Sequence, residues 1–245
     1  MRYLLPDKRK HRGPHPEDER LFAESNWPTL RQAVQDFCWL LNRDYADKSA
    51  LKLVGDHFAL TQRQRMALMR CCCSDEARRQ RRARQVSPEN LPECLLLLDG
   101  YNVITTIEAA LSGGVILKAR DGCFRDLAGM HGTYRKVDET IPAVQLIGQY
   151  LDDIKIGPCR WYLDKPVSNS GRLKQLLREI AQQQSWNWQV ELVFSPDGVL
   201  TRTPEIVATA DSEILNRGPR WFNLAREIIE KYIPDANIIE IADDS

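Results

Sequence analysis

Three aspartates stand where an apolar run stops: Asp99 closes LLLLD, Asp164 closes CRWYLD and Asp211 closes IVATAD. A buried strand that ends in a carboxylate places it at the strand's carboxyl end, the edge where open α/β sheets hold ligands. If the three strands are neighbours, three like charges meet. Such crowding opposes joint ionisation unless a cation lies among them. Carboxylate oxygens with no histidine or cysteine partner suit Mg²⁺ or Mn²⁺ rather than zinc. An ion of that kind activates water and stabilises the charge that develops on a phosphodiester.

The three acids differ in how much their context says. Asp99 is followed by Gly100, which permits a tight bend, and by Asn102, which can orient the aspartate or a metal-bound water. Asp164 leads into KPVSNSG and can equally open a turn, and Asp211 before Ser212 can equally cap a short helix. Asp197, in FSPDG, follows the next strand and could add a ligand, although Pro-Asp-Gly reads first as a turn.

Two further segments carry polar chemistry. In ARDGCFRDLAGMHGTYRK (119–136), Asp121 lies in a glycine-bearing bend and joins the candidate catalytic set, with Asp126 as a further acid. Arg120, Arg125, Arg135 and Lys136 are candidates for holding phosphate. His131 is either a residue that reaches the scissile group or an ordinary hydrogen-bonded histidine. In the second segment, Ser168, Asn169, Ser170 and Gly171 precede an amphipathic helix, with Arg172 and Lys174 just inside it. A helix start offers unpaired N–H groups to an anion, and small residues allow close approach. The same serines also serve as caps. The pocket is expected between Asp99, Asp164 and this loop.

The elements that position these groups alternate. Strand patterns at 94–98, 159–164, 188–194, 205–211 and 237–241 are separated by helical patterns at 141–153, 170–184 and 221–233, with 123–134 a further helix candidate. This alternation predicts a parallel sheet covered by helices on both faces. Before it, residues 29–85 read as three helices. The last begins at a Thr61/Gln64 capping box and runs through three consecutive cysteines toward Arg84. A helix-turn-helix has that outline, with Arg63 and Arg65 at the start of the reading helix, although a solvated charged face fits as well. Residues 1–28 read as an extended polar arm, 86–93 (VSPENLPE) as a linker and 94–245 as the α/β domain.

LLLLDGYNV (95–103) resembles the opening strand of PIN-like nuclease domains, particularly the NYN branch. LNRDYADKSALKLVGDHFALTQRQR (41–65), RDGCFRDLAGMHGTYR (120–135), LDKPVSNSG (163–171) and ATADSEIL (208–215) extend the resemblance to a prokaryotic family that joins a small helical module to a PIN-like domain. The resemblance implies an α/β three-layer sandwich with a central, mainly parallel sheet plus a small N-terminal all-α domain. It implies an acidic cluster that binds Mg²⁺ or Mn²⁺ and usually cuts RNA. Asp99 is then the first-strand acid, Asp164 the middle one and Asp211 the last. Many active PIN domains pair an acid beside the middle one; here Lys165 and Pro166 follow Asp164. The expected function is a metal-dependent nuclease, with an endoribonuclease as the expected kind. The alternative is a catalytically inactive PIN-like protein that binds nucleic acid or acts as a scaffold. PIN-like domains often pair, so a homodimer is a further expectation.

Charge and cysteine usage narrow the field. The chain has 245 residues and formal net charge +0, but the charge is uneven. Residues 1–90 hold 18 Lys/Arg against 12 Asp/Glu, and the remainder 16 against 22. A basic segment that meets a polyanion and an acidic one that holds a cation fit this split. Seven cysteines without a C-x-x-C spacing argue against a zinc knuckle or a disulfide framework and for a reducing cytoplasm. The N-terminal residues show no apolar leader core, and no run long enough to span a membrane occurs, so no membrane partner is expected. Tyr101 stands two residues after Asp99, where a haloacid-dehalogenase-type phosphatase places a second aspartate, and no P-loop is present.

Overall fold

The computed structural model describes residues 10–128 and 134–242. His131 lies outside the described residues. The central sheet grows from the apolar runs. β1 (Leu96–Asp99), β4 (Cys159–Asp164), β5 (Trp188–Val193), β6 (Ile206–Ala208) and β7 (Trp221–Phe222) form one five-stranded sheet in the order β5-β4-β1-β6-β7, every pairing parallel. The expected parallel α/β architecture is present.

Alternate residues of each strand point to opposite faces. Leu96, Leu98, Trp161, Leu163, Val190 and Phe222 bury one face beneath α6 (Gly100–Leu111), α7 (Thr140–Asp153), α8 (Ser170–Gln184) and α11 (Leu224–Tyr232). The other face is thinner. Leu97, Tyr162 and Val207 pack against Leu200 and Ile214, which belong to the short helices α9 (Pro196–Leu200) and α10 (Ser212–Asn216).

A second sheet was not foreseen. β2 (Ile116–Lys118) lies between antiparallel β3 (Phe124–Asp126) and parallel β8 (Ile238–Ile239). Residues 123–134, read as a helix, therefore contain a strand. Ile116, Phe124 and Ile238 pack on α6 and α11, and Leu117, Val115 and Ile239 share a core with the N-terminal helices.

The N-terminal helices are α1 (Asp18–Leu21), α2 (Trp27–Leu41), α3 (Asp47–His57), α4 (Gln62–Cys71) and α5 (Asp75–Arg84). The Thr61–Gln64 capping box opens α4 as expected. The helix does not run on to Arg84. Cys72 is extended, and the Ser74 side chain accepts from Ala77 N–H to start α5 anew. Asp18 draws the arm onto α4 by pairing with both Nε and Nη2 of Arg63. Farther up, Arg12 reaches Glu108 on α6, a carboxylate with no exposure that also accepts from Tyr134 Oη at 2.6 Å and Thr140 Oγ1 at 2.5 Å.

Candidate active site at the carboxyl edge of the sheet

All five strands run the same way, so their carboxyl ends lie on one edge. Register then fixes which acids can meet. Asp99 is level with Tyr162 on β4, and Leu98 is level with Ala208 on β6. Asp164 stands two residues beyond Asp99's level on one flanking strand, and Asp211 stands two beyond it on the other. An interval of two preserves the side, so Asp99 and Asp164 share the thin face of Leu97, Tyr162 and Val207. Asp197 approaches the same face on α9, which directly follows β5.

Asp99 is buried and ends β1 without capping α6. Its carboxylate is therefore not used by the helix. Oδ2 accepts from Thr209 Oγ1 at 2.8 Å. Burial pushes the Asp99 carboxyl up to about 7, against the Thr209 bond, and the charges of Asp211, Asp197 and Asp164 add to the rise. Asp164, half-buried, is raised by burial and then by Asp197. Asp197 is raised by partial withdrawal from water and then by Asp211. Asp211 does cap α10, using Oδ1 to accept from Glu213 and Ile214 N–H. Asn102 Oδ1 accepts from Ala210 N–H at 2.8 Å, so it positions the backbone just before Asp211 rather than Asp99 itself. Gly100 is required at its position. A Cβ there would stand 2.5 Å from Leu163 Cδ2 and 2.9 Å from the Tyr162 carbonyl oxygen.

Among the described residues, no group of three or more His, Cys, Asp or Glu side chains is gathered tightly enough to hold a metal ion. The acids influence one another's ionisation but do not close on one point.

Several predicted site residues belong elsewhere. Asp121 is 1% exposed and is held by Arg81 at 2.6 Å and Arg125 at 2.7 Å. Burial alone would raise its carboxyl, but Arg125 and Arg81 hold it well below the usual range. It is a buried anchor, not a member of the strand-end group. Asp126 is likewise engaged, by Thr106 Oγ1, Ala128 N–H and Arg70.

Four of the arginines predicted to hold nucleic acid, Arg63, Arg65, Arg120 and Arg125, are also committed internally. Arg125 donates to Asp121 and to the Ala210 and Arg70 carbonyls. Arg120 pairs with Asp75 and donates to the Cys73 carbonyl. Arg63 pairs with Asp18, and Arg65 donates to the Leu60 carbonyl and Asp56. The start of α4 therefore presents no free Arg63 or Arg65 for reading bases. Ser168, Gly171 and Arg172 remain exposed at the start of α8 beside Asp164. Ser170 is buried, and Asn169 takes a left-handed conformation and donates to the Tyr134 carbonyl.

Two residues escaped the sequence reading. Thr209 is one, and its signal was its position: it occupies the level of Asp99 on the neighbouring strand. Tyr101 is the other. Its hydroxyl is buried with no partner among the described residues, and its ionisation is raised by burial and then by Asp164.

This geometry defines an α/β protein with several acids at the carboxyl edge of a parallel sheet. The chain belongs to the family described as domain of unknown function DUF5616, which matches residues 88–227 and so contains Asp99, Asp164, Asp197 and Asp211. Residues 29–84 match a second family, described as protein of unknown function DUF434. The Uncharacterized protein MJ0935 of Methanocaldococcus jannaschii is 29% identical over 187 residues, which cover 76% of this chain and 89% of that relative. No solved structure matches the chain. No helix among the described residues is long and apolar enough to cross a membrane.

Proposed function

We propose that the chain is a metal-dependent phosphodiesterase acting on RNA, with Asp99, Asp164 and Asp211 as its acidic centre and Asp197 at the rim. The observation that carries this reading is the shared burden of charge. Asp99 is raised first by burial and further by three other aspartates, and a hard divalent cation would relieve that crowding. The donor set fits Mg²⁺ or Mn²⁺, because every candidate ligand is an oxygen. The open spacing is compatible with Mg²⁺, which commonly takes one or two carboxylates and keeps several waters. When bound, the ion would supply an activated water and charge stabilisation at phosphorus.

The chain's own residues have separable tasks. Thr209 favours the ionised form of Asp99. Asn102 fixes the Ala210 backbone and with it the approach of Asp211. Ser168, Gly171 and Arg172 are positioned to meet a phosphate next to Asp164. The choice of RNA rests on the resemblance of LLLLDGYNV to NYN-type nucleases.

The test is cleavage of end-labelled RNA and DNA by the purified chain with Mn²⁺, beside Asp99→Asn protein. Mn²⁺-dependent RNA products from the native chain alone are expected. Equal products from both proteins would assign the activity to a contaminant. In calorimetry, the absence of saturable Mn²⁺ binding that depends on Asp99 and Asp164 would favour the inactive alternative, a nucleic-acid-binding or scaffold protein.

A further inference from the structure

The edge strand of the main sheet ends in an aromatic side chain left in water. Phe194 directly follows Val193, the last residue of β5, and is 75% exposed. Scattered apolar residues on a surface are ordinary and carry no argument by themselves. The large apolar side chains exposed among the described residues are Trp39, Tyr45, Leu53, Met69 and Phe194, and the first four lie in the helical region 29–84. Phe194 is the one that the α/β domain exposes, and it does so at the edge that carries the acids.

Strand pairing fixes where Phe194 stands. Val193 is level with Asp164 on β4. One residue further on, Lys165 N–H donates to the Val193 carbonyl at 2.7 Å. Lys165 and Phe194 thus leave the two strand ends side by side, each one residue beyond that level. The Lys165 ammonium lies over the Phe194 ring, 4.7 Å from its centroid. The negative face of the ring attracts a cation so placed. Lys165 is itself exposed and has no carboxylate partner among the described residues.

We propose that Phe194 and Lys165 form a subsite for one unpaired nucleotide of single-stranded RNA, with the base stacked on the Phe194 ring and its phosphate drawn by Lys165. The proposal rests on the phosphodiesterase reading of the same edge and names the form of its substrate. Proteins that hold single strands combine aromatic platforms with positive charge, and this pair supplies one of each. A base inside a duplex has both faces taken by its neighbours and cannot use a platform without unstacking. Every base has a π-face, so the subsite accepts all four with little preference. Because Phe194 stands one residue from the level of Asp164, the seated nucleotide adjoins the acidic edge.

The full chain and its Phe194→Ala, Phe194→Trp and Lys165→Gln variants are compared on one RNA, single-stranded and as a duplex. Cleavage is measured with Mn²⁺, and binding by fluorescence anisotropy of the labelled strand in EDTA. Phe194 is exposed, so its replacement leaves the fold intact. Phe194→Ala should weaken single-strand binding and raise KM by about tenfold, with kcat and Mn²⁺ affinity retained. Phe194→Trp should restore both, and Lys165→Gln should weaken binding and flatten its salt dependence. The duplex should bind more weakly than the single strand and respond little to Phe194→Ala. Phe194-dependent binding without cleavage by any of the proteins would sink the phosphodiesterase reading and leave the subsite standing. Native affinity and KM in Phe194→Ala protein, or a duplex handled as well as the single strand, would overturn the subsite. A changed oligomeric state in Phe194→Ala protein with unchanged RNA affinity would do the same, by making Phe194 a contact between copies of the chain.

Discussion

Thr209 Oγ1 donates to Asp99 Oδ2 across 2.8 Å and ties the last residue of β1 to the first residue beyond β6. The bond opposes the burial that raises Asp99. Thr209→Val removes it without changing the side chain's shape. Asp99 then ionises only at higher pH. A hydrogen bond to a charged group contributes about 1.5–3 kcal/mol, so Mn²⁺ affinity at pH 6 should fall at least about tenfold, with a smaller loss at pH 8. Calorimetric titration at both pH values checks this. An equal loss at the two would mean that the bond does not act through the ionisation of Asp99.

Asp99 also makes stability depend on pH in an unusual direction. Its folded value of about 7 lies above the value of about 3.9 for an exposed aspartate. Folding therefore takes up a proton between those limits, and stability falls as pH rises through that window. This group alone accounts for about 4 kcal/mol, and Asp164 and Asp197, also raised, act with the same sign. In metal-free buffer, Asp99→Asn should be more stable than the native chain at pH 8 and closely matched to it near pH 4. Urea unfolding across pH 4–8 measures the difference. A native chain that gains stability from pH 5 to pH 8, with no advantage for the variant, would contradict a strained acid at this position.

What was legible in the sequence follows from where the information is local. LLLLD and CRWYLD announce buried parallel strands because both faces are covered, and Thr61 with Gln64 announces a helix start because a capping box is complete within four residues. The break after Cys71 was missed, although Ser74 followed by Asp75 and Glu76 is an N-terminal signature. The fate of the arginines was not. Arg63 is held by Asp18, 45 residues away, and Arg81 by Asp121, 40 residues away. A lone charge in sequence looks the same whether it faces solvent or a buried partner. Asp121 and Arg125, four apart, even mimic a surface helical pair, yet they lie in the bend and strand around β3.

That buried pair separates structural acids from the proposed catalytic ones. Asp121→Asn leaves Arg81 and Arg125, 3% and 7% exposed, without their counter-charge. Breaking a buried ion pair by removing one partner costs about 3–5 kcal/mol. The variant should therefore unfold at markedly lower urea than the native chain, while its folded fraction binds Mn²⁺ with unchanged affinity. Asp99→Asn should show the opposite pattern. Loss of Mn²⁺ binding in folded Asp121→Asn protein would return Asp121 to the site.

Tyr101 offers a test in which stability and function move apart. An unpartnered buried hydroxyl costs about 1–3 kcal/mol, and this one lies close enough to Asp164 for the two charges to oppose each other. A fold that packed Tyr101 for its ring alone, against Tyr134 at 5.1 Å between centroids, would do better with phenylalanine. Tyr101→Phe should accordingly leave the metal-free chain as stable as the native one or more stable by about 1 kcal/mol. If the hydroxyl finds its partner in a bound phosphate or an ordered water beside Asp164, the same variant should lose RNA turnover by about tenfold or more, with Mn²⁺ affinity retained. Unfolding curves paired with single-turnover cleavage read both quantities. A variant that is destabilised, or that is fully active, would assign the hydroxyl no role beside Asp164.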